Sequence, residues 1–141
     1  MPQLEQLLEK YPTDLRVVFK NFPIPSHKYA FASAMAAMAA GRQGKFWEFH
    51  DELFKNYNRL NEQKVENIVK QLSLDETKFN KDKTNRELIN HIQQDYKEGI
   101  KIGVRGTPTV FINGKQFRKR RNMKSMGAAI EEELKKEKAK E

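Results

Sequence analysis

The 141-residue sequence contains no cysteine, which excludes disulfides, thiolate metal sites and every cysteine nucleophile. No apolar run reaches the ~18 residues needed to cross a bilayer, so no membrane span is expected. The first residues, Met1, Pro2, Gln3, Leu4 and Glu5, lack a basic stretch followed by an apolar one, so no secretory signal is visible. As written the sequence reads as cytoplasmic, and as extracytoplasmic or periplasmic if a signal sequence lies upstream. Histidine is scarce: His27, His50 and His91 share no i, i+3 or i+4 spacing and form no H-E-x-x-H pattern, so no metal site is expected. His50 adjoins Asp51 and Glu52, but consecutive helical residues point to different faces, and the reading is a partly buried histidine beside solvated acids. There is no serine-centred elbow and no phosphate-cradling glycine loop. Gly103, Val104, Arg105 and Gly106 precede a strand instead of following one, the wrong order for a dinucleotide fingerprint, and no cofactor is expected.

What is abundant is charge. There are 27 Lys and Arg against 19 Asp and Glu, a net charge of +8, which permits attraction to anionic partners without specifying one. Much of the excess is local: Lys115, Arg118, Lys119, Arg120, Arg121 and Lys124 fall within ten residues. A solvated strand end is expected there. Phe117 is the run's one aromatic residue, and stacking aromatics usually accompany basic nucleic-acid grooves, so nucleic acid is disfavoured as a partner.

The length is that of one domain. Leu4, Leu7 and Leu8 mark one face of a helix over residues 1–10. Residues 15–20, Leu-Arg-Val-Val-Phe-Lys, are rich in β-branched and aromatic side chains and stop before Pro23 and Pro25, which reads as a short buried strand. Ser26 is positioned to cap an alanine-rich helix over residues 30–40. Phe46, Phe49, His50, Leu53 and Phe54 repeat at helical spacing, with Trp47 beside them. Val65, Ile68, Val69 and Leu72 mark a further helix, and residues 74–79 a short one. Thr84 and Glu87 have the spacing of a capping box, opening a long helix whose apolar face runs through Ile89, Ile92, Tyr96 and Ile100 to Ile102, with Gly103 offering the left-handed position that ends it. Residues 109–112 form a strand, Asn113-Gly114 is a strong hairpin signal, and residues 115–118 return. Met126, Ala129, Ile130 and Leu134 supply a last helix. The order describes an α/β layer protein with a helical block between its strands.

Val104-Arg105-Gly106-Thr107-Pro108-Thr109-Val110-Phe111-Ile112-Asn113-Gly114 is the distinctive local element. Proline cannot donate to a ladder, and cis is inexpensive at X-Pro bonds, so a sharp exposed turn is expected at the strand start. Together with the alanine-rich helix and the block Gly41-Arg42-Gln43-Gly44-Lys45-Phe46-Trp47-Glu48-Phe49-His50-Asp51-Glu52-Leu53-Phe54, this segment resembles the DsbA-like branch of the thioredoxin superfamily over nearly the whole chain. Residues 15–23 are similar to the strand after that family's active-site helix, and residues 2–8 to the second half of that helix.

The resemblance implies an incomplete thioredoxin-like α/β fold with an inserted helical domain. One domain would span residues 1–141, with its thioredoxin-like part at 1–24 and 103–141 and its inserted part at 25–102. It implies thiol–disulfide exchange on polypeptide substrates, a cis bond at Thr107-Pro108, and a substrate-binding loop at Arg105, Gly106, Thr107 and Pro108. It also implies that the first strand and the Cys-x-x-Cys motif are missing, so that the chain starts inside the domain and carries no catalytic residue. A homodimer formed through the incomplete sheet follows as a further expectation, and the competing reading is a noncatalytic peptide-binding or interaction module.

Overall fold

The computed structural model describes residues 2–141. Seven α-helices and one β-hairpin run in the order α1 (Pro2–Lys10), α2 (Ala30–Gly41), α3 (Phe46–Lys55), a 3-10 turn (Tyr57–Arg59), α4 (Glu62–Gln71), α5 (Glu76–Asp82), α6 (Arg86–Lys101), β1 (Val110–Ile112), β2 (Lys115–Phe117) and α7 (Met123–Lys138). They pack as two compact units. Met1–Phe19 and Thr107–Glu141 form a hairpin unit, and Lys20–Gly106 a helical unit.

In the helical unit α2 is the centre. Its Met35, Ala36, Ala37, Ala39 and Ala40 are buried, and these mostly small side chains let α3, α5 and α6 pack against it. Phe49 and Phe79 fill the space that the alanines leave, their rings stacked at 5.6 Å, and Leu53, Ile68, Val69, Leu74, Leu88 and Ile92 complete the core. The start of the unit is pinned to α6 by Asp95, a carboxylate that is 4% exposed. It accepts from the Asn21 backbone N–H at 3.0 Å and from Asn21 Nδ2 at 2.9 Å, with Lys20 Nζ at 3.3 Å and His91 Nε2 at 3.5 Å. Next to it Phe22 stacks on Tyr96 at 4.6 Å. The fit requires glycine at position 99, where a Cβ would stand 2.8 Å from the Phe22 ring.

The helix boundaries correct three expectations. Thr84 and Glu87 do not form a capping box: Asn85 is the N-cap of α6 and accepts from the Glu87 N–H at 2.8 Å, while Thr84 Oγ1 donates to the Lys81 carbonyl. An asparagine already next to the free amides displaces the more distant threonine. Glu87 instead accepts from Arg42 at 2.8 Å. Ser26 lies in a turn, and α2 begins at Ala30 behind Tyr29 with no side-chain cap. The 15–20 segment belongs to no β-ladder, because a strand exists only where a partner accepts its hydrogen bonds. Nor is the segment buried throughout: Leu15 and Val17 are half-buried, whereas Val18 is 62% and Phe19 39% exposed. Elsewhere the expected helices form and Gly103 ends α6 with φ at 88°, but the apolar face of α6 is not buried to its end, since Ile100 and Ile102 are exposed, as is Leu8 of α1.

Candidate functional site

The hairpin follows from its turn. Asn113 and Gly114 both have positive φ, 45° and 79°, the backbone that a two-residue turn needs to match the twist of its strands and that these two residue types adopt at least cost. The antiparallel register pairs Val110 with Phe117, Phe111 with Gln116 and Ile112 with Lys115. Val110, Ile112 and Phe117 pack on a small core of Leu7, Tyr11, Met126 and Ile130, so α1 and α7 support the hairpin. The Tyr11 hydroxyl donates to Glu131 at 2.7 Å and Lys10 Nζ donates to the same oxygen at 3.0 Å. Those two hydrogen bonds hold the Glu131 carboxyl below its ordinary value. Asn122 caps α7, accepting from the Ser125 N–H at 2.9 Å.

Among the described residues this sheet has two strands only. β1 therefore offers a ladder on one side and a free edge on the other. Thr107 and Pro108, immediately before it, are exposed, and the bond between them is cis, as expected from the resemblance. Of the four residues assigned to substrate binding, Arg105 (exposed) and Gly106 (half-buried) close the helical unit, while Thr107 and Pro108 open the hairpin unit. The sequence assigned the loop but not the edge of Val110, Phe111 and Ile112 beside it. Its signal was the three-residue apolar strand after a proline, and only the absence of a second ladder makes it an edge.

Two other groups could compete as sites. Along α3 the rings of Phe46, Trp47, His50 and Phe54 lie against one another at 4.6 to 5.8 Å, and His50 Nδ1 is 3.2 Å from Asp51 Oδ1. The neighbours thus touch although successive helical residues diverge, and His50 is buried among the rings of Phe46, Trp47 and Phe54. A polar hollow of about 510 Å3 lies in the helical unit and is lined by Arg42, Asp75, Lys78 and Asp82 among others. Buried Asp82 there is already satisfied, accepting from Arg42 and Lys78, both at 3.2 Å. Among the described residues no group of three histidine or acidic side chains could hold a metal ion, and no helix is long and apolar enough to cross a membrane.

A β-hairpin backed by two helices, with a helical unit between the first helix and the hairpin in sequence, defines a thioredoxin-like domain with a helical insertion. The family model described as Thioredoxin matches residues 1–132, and the chain belongs to the thioredoxin family, with the DsbA-like form of its fold. A protein of Salinispora tropica named Na(+)/H(+) antiporter NhaA 3 is 34% identical over 130 residues, 92% of this chain and 20% of that protein. The chain thus spans about a fifth of the length of that relative. The probable disulfide bond formation protein D of Bacillus anthracis is 30% identical over 94% of this chain and 65% of its own length. Among solved structures, a thioredoxin-like oxidoreductase from Silicibacter pomeroyi DSS-3 superposes with a TM-score of 0.82 at 26% identity, covering 96% of this chain and 77% of that one.

Proposed function

We propose that this chain is a peptide-binding module of DsbA-like form. Its loop at Arg105, Gly106, Thr107 and Pro108 and the outer edge of β1 receive an extended polypeptide segment, and the chain alone does not catalyse thiol–disulfide exchange. The observation that carries the reading is the free edge of β1 directly after an exposed loop. An unpaired edge presents a row of N–H and C=O groups, and an extended chain satisfies them by adding as a strand. The half-buried side chains of Val110, Phe111 and Ile112 give the edge an apolar footing.

The chemistry is set by the missing thiol. Exchange begins with a thiolate attacking a disulfide, and none of these 141 residues is a cysteine. Relatives named for disulfide bond formation and for oxidoreductase activity support polypeptides as the partner class, with the reacting thiols supplied from outside this sequence. In this reading the hairpin unit corresponds to the thioredoxin-like part expected at 1–24 and 103–141, and the helical unit to the insertion expected at 25–102. The same edge accommodates a second copy of the chain, so a homodimer competes with peptide at high protein concentration.

The test joins two assays on the purified chain. Insulin reduction by dithiothreitol is expected to proceed at the buffer rate, and a fluorescein-labelled extended peptide is expected to raise its anisotropy on titration with the chain. Catalysed reduction would mean a reaction that does not use a thiol of this chain and would overturn the noncatalytic reading, and a peptide that never binds would remove the proposed function.

A further inference from the structure

We infer that residues 118–121 make the β1 edge selective for acidic polypeptide segments. The inference rests on the strand-addition reading above and names its substrate class. The hairpin register supplies the geometry. Because Val110 is paired with Phe117 in an antiparallel ladder, the chain enters the hairpin through Thr107 and Pro108 and leaves it through Arg118 and Lys119 at the same, open end. Two chain steps from Val110 to Pro108 and one from Phe117 to Arg118 keep those two Cα atoms within about 17 Å. A strand added to the free edge of β1 would lie two strand spacings from β2, about 10 Å. An arginine side chain and a glutamate side chain extended towards each other span that distance, which is also comparable to the screening length at physiological salt.

The charge of the run is uncompensated. Arg118, Lys119, Arg120 and Arg121 are all exposed, and no acidic residue occurs from Lys115 to Lys124. Among the described residues none of the four forms an ion pair. Elsewhere in the unit, by contrast, Lys10 holds Glu131 and Lys136 holds Glu132 and Glu133, while Lys115 stands 3.8 Å from Glu133. Carboxylates in a peptide docked on β1 would meet four cations free to answer them, which sets partner preference more than raw affinity. Phe117, the aromatic residue of the run, is half-buried in the core beneath the hairpin and offers no stacking platform, which favours a peptide over nucleic acid.

Three nine-residue peptides of alternating Val and a polar residue, the polar residue being Glu, Gln or Lys, are titrated against the full chain by fluorescence anisotropy. The Glu peptide is expected to bind about tenfold more tightly than the Gln peptide in 50 mM salt, with the ratio falling towards unity in 500 mM salt. The combined R118Q, K119Q, R120Q and R121Q variant is expected to bind the Gln peptide as before and to lose the preference, and R120Q with R121Q alone to lose about half of it on a logarithmic scale. Unchanged binding of the Gln peptide shows that each variant is folded. Equal affinity for the Glu and Gln peptides would overturn the selectivity while leaving the strand-addition reading intact, as would a preference that survives in the fourfold variant. Failure of all three peptides to bind would overturn the strand-addition reading itself and this inference with it. Duplex DNA bound more tightly than the Glu peptide, and released by the fourfold variant, would assign the run to nucleic acid instead.

Discussion

The two units divide their work differently. Among the described residues the helical unit buries thirteen apolar residues in one cluster around α2, whereas the hairpin unit's cluster has four, Leu7, Tyr11, Met126 and Ile130, with half-buried neighbours packed against them. Among the described residues the helical unit contains no strand, while the hairpin unit leaves one edge of β1 without a partner strand. Binding surfaces are drawn from the less stable parts of a structure, because groups already satisfied internally have nothing to offer a partner. The larger core thus belongs to the helical unit, and the thinner one lies under the strand edge for which peptide binding is proposed.

The largest effect expected from breaking this division comes from Phe49, fully buried in the helical unit and stacked on Phe79. Phe49→Ala removes the ring that spans the alanine face and should cost about 3–5 kcal/mol, measured by urea denaturation. Next is Asp95→Ala, which strands the buried Asn21 and its backbone N–H without their acceptor and should cost about 2–3 kcal/mol. Hydrogen exchange in that variant should quicken at residues 20–22 before it does in α3. In the hairpin unit Asn122→Ala removes the cap of α7 and should cost about 1 kcal/mol. It should weaken peptide binding through the shared core, whereas Phe49→Ala, studied where it remains folded, should not.

The helices were legible because apolar residues at helical spacing survive in any packing: Leu4, Leu7 and Leu8, or Ile89, Ile92, Tyr96 and Ile100. The hairpin was legible because Asn113-Gly114 leaves little choice of turn. What the sequence could not show depends on partners far along the chain. Residues 15–20 have strand composition but find no ladder. Asn85 displaces the Thr84 cap by a detail of local geometry. Asp95 gives no sign in sequence that it will hold Asn21 from 74 positions away. For the site, the loop at Arg105, Gly106, Thr107 and Pro108 was reached by resemblance, and its neighbouring edge only by seeing the sheet.

The smallest effect is one of pH. Burial works to raise the Asp82 pKa, but hydrogen bonds and charge from Lys78 and Arg42 outweigh it and hold the carboxyl below its ordinary value of 3.8. A group lowered by folding stabilises the folded chain above its unfolded value, and that contribution is lost as pH falls through the folded one. The helical unit should therefore lose stability as pH drops below about 4. Asp82→Asn should flatten that part of a Tm against pH profile, while Glu131→Gln, in the hairpin unit, should flatten only the hairpin unit's share.

The central claim, that the edge of β1 and its preceding loop bind extended polypeptide without any cysteine thiol of this chain, is tested most directly by amide chemical shifts. A cysteine-free extended peptide is titrated into the 15N-labelled protein. The account predicts saturable shifts at Thr107 and from Thr109 to Ile112, with the amides of α2 to α6 undisturbed. Shifts confined to the helical unit, or none at residues 107–112 at saturating peptide, would contradict it.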